Sequence, residues 1–365
     1  MQNNLNIWAR VTRGLEWVAA AEASLILGIT EIKTGHRDLL FKCTDINEVY
    51  KLRCIDDAYI LWDEIGGIDH TRQVLQILER TINSLRDFPL NIPNNISNLR
   101  VTASFLGKRN YSRFEIEEII GPVIAKRFGL KFIDSRTEEA SNALWCRVHL
   151  SEDSMRIGIK LTEQPLHRRY WRTEAIAGSL HPPVAAAMAL LADIQESNTV
   201  IDPFCGSGTL LIEAGFRCKN TNLIGYDISD LAIKNAIEQA QKADIPVKFI
   251  KADSSDSSLP LADRIISNPP WGRAVEARGN LTTYNLITTF LGNLKPSGKA
   301  IILIDQEIDF LTLLKSEGLN PSLVEPVRIG GRLTHLVMLG NEPCFSDNKI
   351  GRALEEAKRN YNNIK

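Results

Sequence analysis

Thr199-Val200-Ile201-Asp202-Pro203-Phe204-Cys205-Gly206-Ser207-Gly208 is an apolar run that ends on an acid and breaks into a glycine-bearing turn before a helix-forming stretch from Thr209. Glycines at such a turn let a ligand approach the backbone, and the N–H groups opening the next helix favour a negative group such as a carboxylate. About twenty residues on, Asp227 ends the next apolar run, where an acid can take both hydroxyls of a ribose. Each acid alone reads equally well as a capping or turn residue. The functional reading rests on Asp202, Gly206, Gly208 and Asp227 occurring together.

Outward from this turn the chain alternates strand and helix. Strands are expected at 199–202, 223–226, 247–251, 264–267 and 300–304, and helices from 209, at 229–243 and at 281–294. That alternation specifies an α/β, Rossmann-like, mostly parallel, doubly wound sheet. Runs at 323–329 and 333–339 flank Gly330-Gly331 and read as an antiparallel hairpin. The stretch 346–365 is polar and charged, a tail with some helix.

Three ligands could sit on the Asp202 turn. A dinucleotide would prefer G-x-G-x-x-G, but Leu211 occupies the third glycine position, and the phosphate loop G-x-x-x-x-G-K-[ST] of a nucleoside triphosphate site is absent. S-adenosylmethionine suits best. It has no phosphates, its ribose suits Asp227, and its amino group could meet Asp202 directly or through water. Pro203, Phe204 and Cys205 would line the same loop. Asp253, after the third strand, either accepts the adenine amine or is an ordinary loop acid beside Ser254-Ser255-Asp256. Cys205 reads as a small side chain beside the ligand as readily as a reactive thiol.

The second unusual stretch is Asn268-Pro269-Pro270-Trp271-Gly272, directly after the fourth strand. Two prolines behind an asparagine make a stiff turn that points carbonyls outward. Asn268 Oδ1 and a carbonyl of Pro269 or Pro270 can accept the protons of a planar amine, while Trp271 stacks on its ring. In this fold class the fourth strand lies beside the first, so the turn emerges next to the Asp202 loop. An exocyclic amine is a poor nucleophile because its lone pair is delocalised into the ring. Two acceptors orient that pair and tolerate the positive charge growing on nitrogen. The plainer alternative is a proline-rich turn with a packed tryptophan.

Composition bounds the rest. The chain has 365 residues, 44% hydrophobic and 24% charged, which fits two or three ordinary globular domains. A formal net charge of −1 gives no global basic field, so a nucleic-acid partner must be held by local patches. Six scattered cysteines show no zinc spacing and read as free thiols in a reducing compartment, with no metal site expected. The N-terminal residues lack the pattern of a signal peptide, and no run is long enough to span a bilayer; a cytoplasmic monomer without membrane contact is the expectation.

The front half reads as two small α+β units. The first has strands at 7–13, 29–33, 39–43 and 59–62 with helices at 15–27 and 46–52; the second has helices at 71–85 and 113–128 and strands at 99–105, 144–150 and 155–161. Between the halves, Pro165-Leu166-His167-Arg168-Arg169-Tyr170-Trp171-Arg172 interleaves basic and aromatic residues and reads as a linker. His181 and His335 have no partner at a recognisable spacing and read as structural.

Taken together, Asp202-Pro-Phe-Cys-Gly-Ser-Gly-Thr-Leu-Leu-Ile-Glu213 and Asn268-Pro-Pro-Trp-Gly272 resemble the THUMP-containing RNA guanine-N2 methyltransferases, of UPF0020-like type. Gly14-Leu15-Glu16 resembles the start of that family's ferredoxin-like domain, and Leu166-His167-Arg168-Arg169 its linker motif. The resemblance implies a ferredoxin-like domain at 1–65, a THUMP domain at 66–162, a linker at 163–183, a class I methyltransferase domain with a seven-stranded sheet and an antiparallel last hairpin at 184–345, and a polar tail at 346–365. It implies methyl transfer from S-adenosylmethionine to the N2 amine of a guanosine flipped onto Trp271, in structured RNA, with the tRNA acceptor stem preferred and 23S rRNA possible. Relatives usually carry tyrosine or phenylalanine where Trp271 stands. Lys108, Arg109, Arg168, Arg169, Arg172 and Arg273 are the candidate RNA contacts, each also readable as a solvated charge; Arg113 and the pair Lys126-Arg127 are weaker candidates. Adenine N6, a protein glutamine amide, or an RNA-binding role with a vestigial catalytic domain are the alternatives.

Overall fold

The computed structural model describes the chain except residues 1–3, 135, 137–141, 174–178, 255–258, 271–290, 308, 317, 341–342 and 365. Trp271 and Arg273, and most of the helix expected at 281–294, therefore lie outside the described residues.

The front half builds one eight-stranded sheet. Its strands are β1 (Leu5–Arg10), β2 (Ile29–Gly35), β3 (Asp38–Cys43), β4 (Asp57–Gly66), β5 (Asn98–Phe105), β6 (Lys131–Phe132), β7 (Ala143–Ser151) and β8 (Ser154–Lys160), in the order β2-β3-β1-β4-β8-β7-β5-β6. The boundary expected at residue 65 falls inside β4, which pairs antiparallel with β8 from Tyr59↔Lys160 to Gly66↔Ser154. Two compact units thus share a continuous ladder. Their apolar interiors stay separate: Ile7, Ala9 and Ala58 pack with α1 (Glu16–Ser24), whereas Val101, Val148 and Ile157 pack with α4 (Arg113–Phe128).

Local chemistry sets the helices. Ser112 accepts the Glu115 N–H and Glu115 returns the bond, a reciprocal cap that starts α4; Gly129 at φ +66 ends it. The single helix expected over 71–85 is instead a 3₁₀ stretch, Arg72–Gln76, followed by α3 (Leu78–Asn83). The Thr71 hydroxyl donates to Asp69 at 2.8 Å and makes no capping bond, and the first turn has i→i+3 bonds. Val74, Leu78 and Ile82 are buried all the same, so the apolar periodicity served packing and not one continuous helix. Likewise α2 (Ile46–Val49) is one turn capped by Asp45, shorter than the run expected over 46–52.

The second sheet contains β9 (Thr199–Asp202), β10 (Asn222–Asp227), β11 (Lys248–Lys251), β12 (Ala262–Ser267), β13 (Leu294–Asp305), β14 (Leu323–Ile329) and β15 (Arg332–Gly340). Their order is β11-β10-β9-β12-β13-β15-β14; the first five are parallel and the last pair runs antiparallel. This is the expected seven-stranded architecture. β13 starts at Leu294, earlier than expected, because Leu294 pairs with Ala262 before a register shift. Helices α5 (Pro182–Leu191), α6 (Thr209–Arg217) and α7 (Asp230–Ala243) pack on one face, and α8 (Phe310–Ser316) on the other.

The expected tail is an ordered helix, α9 (Lys349–Asn362), lying against α1. Leu354 is buried there, and the Tyr361 hydroxyl donates to Glu16 at 2.9 Å. Glu16, itself buried, also accepts the Gly14 and Arg37 N–H groups. A Cβ at Gly14 would stand 2.1 Å from the Pro326 carbonyl, so glycine permits the first unit to touch β14. Sequence periodicity recorded α9's charges but not the apolar stripe they flank.

Candidate active site

β9 is buried on both faces and delivers Asp202 to its carboxyl end at 1% exposure. Asp202 Oδ1 accepts the Phe204 N–H at 3.1 Å and the Ser267 hydroxyl at 2.8 Å. Burial lifts this carboxyl to about 7; the neighbouring Asp227 charge pushes the same way, and the two hydrogen bonds oppose it. The loop that follows is fastened to β10: Cys205 N–H donates to the Tyr226 carbonyl at 2.8 Å and Gly206 N–H to Asp227 Oδ2 at 3.0 Å. Asp227 Oδ1 accepts the Ser229 N–H at 2.8 Å. Two backbone donors, the Gly206 and Ser229 N–H groups, thus aim the Asp227 carboxylate.

The two glycines do different work. Gly208, at φ +79, heads α6, and a Cβ there would meet the Phe249 ring at 2.8 Å. Gly206, at φ +50, has nothing within 4 Å of its hypothetical Cβ, so its surface is open. Burial, then the charges of Asp202 and Asp227, pushes the Cys205 thiol well up. Of the two readings for Cys205, the packed side chain is the one this geometry supports. Asp253 follows β11 and is half-buried; the Ala252 N–H donates to the Asp227 carbonyl at 3.0 Å, which brings Asp253 beside the same edge.

β12 inserts between β9 and β13, with Ile265 opposite Ile201. Its last residue, Ser267, is the one that binds Asp202. Asn268 comes next, half-buried, followed by buried Pro269 and half-buried Pro270. The cofactor-type loop and the Asn-Pro-Pro turn are therefore joined by a direct hydrogen bond across adjacent strands. Ser267 was not singled out in the sequence, although it stands immediately before Asn268.

The basic candidates separate by environment. Lys108 and Arg168 are exposed, and Arg168 touches Gln164 at 3.0 Å. Arg109 is engaged internally, donating to the Ile68 and Asp69 carbonyls at 2.8 Å each. Arg127 similarly donates to the Ile82 carbonyl at 3.0 Å. Arg172 is half-buried, and burial lowers its pKa. Arg169 donates its Nε–H to Glu213 at 2.8 Å, and Arg53 donates to the other Glu213 oxygen at 2.6 Å. Glu213, on the helix that follows the cofactor-type loop, is fully buried. Trp171 is fully buried too, so the segment read as a linker is wedged into the core. His181 pairs with Asp56 at 2.6 Å, confirming a structural role.

Sequence inspection also missed a polar sheet face. On the side of the eight-stranded sheet turned away from α4, Arg10, Arg147, Arg156 and Lys160 surround Trp8, Tyr59 and His149. Burial and then Arg10 lower the His149 pKa to about 4, so this residue is neutral near pH 7; Arg10 and Arg156 pair with Asp38, and Lys160 with Asp57, so much of the positive charge is balanced within the face. The signal was present as period-two alternation in β1, β7 and β8.

A family model described as UPF0020, RMKL-like, methyltransferase domain, matches residues 169–335. Among curated relatives, the tRNA (guanine(6)-N2)-methyltransferase of Thermus thermophilus is 30% identical over 56% of this chain and 61% of its own length. The tRNA (guanine(6)-N2)-methyltransferase of Archaeoglobus fulgidus is 22% identical over 92% of both chains. The U6 snRNA (guanine-N(2))-methyltransferase THUMPD2 of Bos taurus is 34% identical over 44% of this chain, and that match spans 31% of the relative. The crystal structure of TrmN from Thermus thermophilus superposes with a TM-score of 0.78 at 24% identity, covering 93% of this chain and all of that one. SMU.472, solved in complex with SAH, gives 0.73 at 20% identity and covers 94% of this chain and 99% of that one. The strand order, the Asp202 loop and the Asn268 turn agree with that fold, and residues 169–335 of this chain are similar to the UPF0020, RMKL-like methyltransferase domain.

Proposed function

We propose that the chain is an S-adenosylmethionine-dependent RNA methyltransferase that transfers the methyl group to the exocyclic N2 amine of a guanosine, with tRNA preferred and its acceptor stem the expected region. One observation carries the reading: the Ser267 hydroxyl ties Asp202 to the strand that ends in Asn268-Pro269-Pro270, so cofactor and acceptor groups share one carboxyl edge. The residues present fit the cofactor. Asp227 is aimed by two N–H groups for the ribose, the open surface at Gly206 admits a ligand, and Asp202 suits a cationic amino group. When bound, the cofactor supplies an electrophilic methyl on a sulfonium. Asn268 Oδ1 and a proline carbonyl hold the two amine protons and direct the nitrogen lone pair, and the released proton leaves after attack.

We read 1–65 as ferredoxin-like and 66–162 as THUMP, with exposed Lys108 and Arg168 as candidate contacts to the RNA backbone. The relatives named for guanine-N2 methylation of tRNA and U6 snRNA support the substrate class. We take the enzyme to act in the cytoplasm as a monomer without a metal. Among the described residues no helix is long and apolar enough to cross a membrane, and no group of three or more histidine, cysteine or acidic side chains could hold a metal. Nucleoside mass spectrometry of tRNA and rRNA from a deletion strain tests the assignment. Loss of N2-methylguanosine at one mapped nucleotide is expected; unchanged levels at every site would refute it.

A further inference from the structure

The carboxyl end of β13 carries a cavity of about 250 Å³ outside the cofactor-type loop. Ile304, Phe310 and Val337 form apolar walls, and Gln306, Glu307, Asp309 and His335 supply the polar groups. Its position follows from the sheet. Ser267 is level with Ile302 in the parallel pairing of β12 with β13, so continuing both strands two residues places Pro269 beside Ile304. Neighbouring strands lie about 4.8 Å apart. The cavity thus lies at the same carboxyl edge as the turn that holds the acceptor amine, with walls from β13, β15 and the start of α8.

Three carboxylates stand near it, and two are occupied. Asp305 accepts the Glu307 N–H at 3.0 Å and faces Arg332 at 3.7 Å. Asp309 accepts the Thr312 N–H at 3.3 Å at the start of α8. The Glu307 side chain is exposed and has no protein partner among the described residues. From Leu303, level with Asn268, to Glu307 is four residues, at most about 13 Å of extended chain, and the turn at 306–307 shortens it. A purine ring and a glutamate side chain together bridge that interval.

We propose that Glu307 is a specificity-determining residue that reads the Watson–Crick edge of the target base. Resting on the guanine-N2 assignment above, the geometry lets Asn268 hold the N2 amine while the Glu307 carboxylate accepts the adjacent N1–H. Guanine alone among the standard purines presents these two donors side by side. A base with a lone pair at N1 meets the carboxylate acceptor to acceptor, and apolar walls that shed water as the base enters make that mismatch costly. Glu307 makes no bond in the chemical step; it fixes which ring arrives and at what angle.

The test compares an RNA carrying guanine with one carrying 2-aminopurine at the nucleotide mapped by the mass spectrometry. Both bases have the N2 amine, but 2-aminopurine lacks N1–H. The wild type should favour guanine in kcat/KM by on the order of 100-fold. Glu307→Gln, whose amide can donate to a bare N1, should narrow that ratio by about tenfold or more, with cofactor binding and melting temperature unchanged. An unchanged ratio, or an equal loss on both RNAs, overturns the inference. A wild type that methylates neither RNA refutes the guanine assignment itself.

Discussion

Replacing Glu213 with alanine should destabilise the junction between the two halves far more than a surface change would. The carboxylate is fully buried and accepts Nε–H groups from Arg53 at 2.6 Å and Arg169 at 2.8 Å. Removing it strands two guanidinium groups of unequal exposure, the Arg169 side chain at 8% and that of Arg53 at 24%. Breaking a buried ion pair by deleting one partner costs about 3–5 kcal/mol. Here the lower end applies. Arg169 keeps the Leu166 and Arg53 carbonyls as acceptors, and Arg53 still lies over the Phe216 ring at 3.8 Å. A loss of about 3 kcal/mol is expected, read as a fall in the urea midpoint by circular dichroism. Arg169→Met should lower the midpoint in the absence of RNA, which a residue serving only as a phosphate contact would not do. The double variant should show coupling of at least about 1 kcal/mol. A Glu213→Ala loss below about 0.5 kcal/mol, or single effects that simply add, would refute the clamp.

Other expectations follow from the site. Asn268→Ala should leave cofactor affinity near wild type in calorimetry while turnover drops by about 100-fold or more; parallel loss of both would make the residue structural. For Asp202, burial holds the proton to about 7, above the unfolded value of 3.8, so the folded state binds more protons and loses stability as pH rises between those values. A cationic cofactor amine needs the ionised form. Affinity should therefore rise about tenfold per pH unit up to about 7 and level off, and Asp202→Asn should flatten the profile. Gly208→Ala should impair folding, because Phe249 stands 2.8 Å from the new Cβ. Gly206→Ala should cost folding only the left-handed strain of about 1–2 kcal/mol and act chiefly on cofactor affinity, so similar melting losses for the two would argue against an open ligand surface at Gly206.

What could be read from the sequence, and what could not, divides by the range of the interactions. The β9 loop, the helix over 113–128 and the Gly330-Gly331 hairpin were legible because their determinants sit within a few residues of one another. The buried pairing of Arg169, read as a candidate RNA contact or a solvated charge, was hidden because its partner Glu213 lies 44 residues away. The division of the front half was hidden for the same reason. β4 reads as the last strand of one unit, and only its ladder with β8, nearly a hundred residues later, makes it the middle of a shared sheet. Ser267 shows how the same limit touches the chemistry. A serine before Asn-Pro-Pro carries no signal of its own, yet it places a hydroxyl on the acid at the head of the cofactor-type loop. Ser267→Ala should remove one of two hydrogen bonds holding the Asp202 carboxylate and push its pKa further up, because burial then acts with less opposition. The pH dependence of cofactor affinity would shift to higher pH with the acceptor turn intact, and a profile that stays in place would mean the hydroxyl does not act on Asp202.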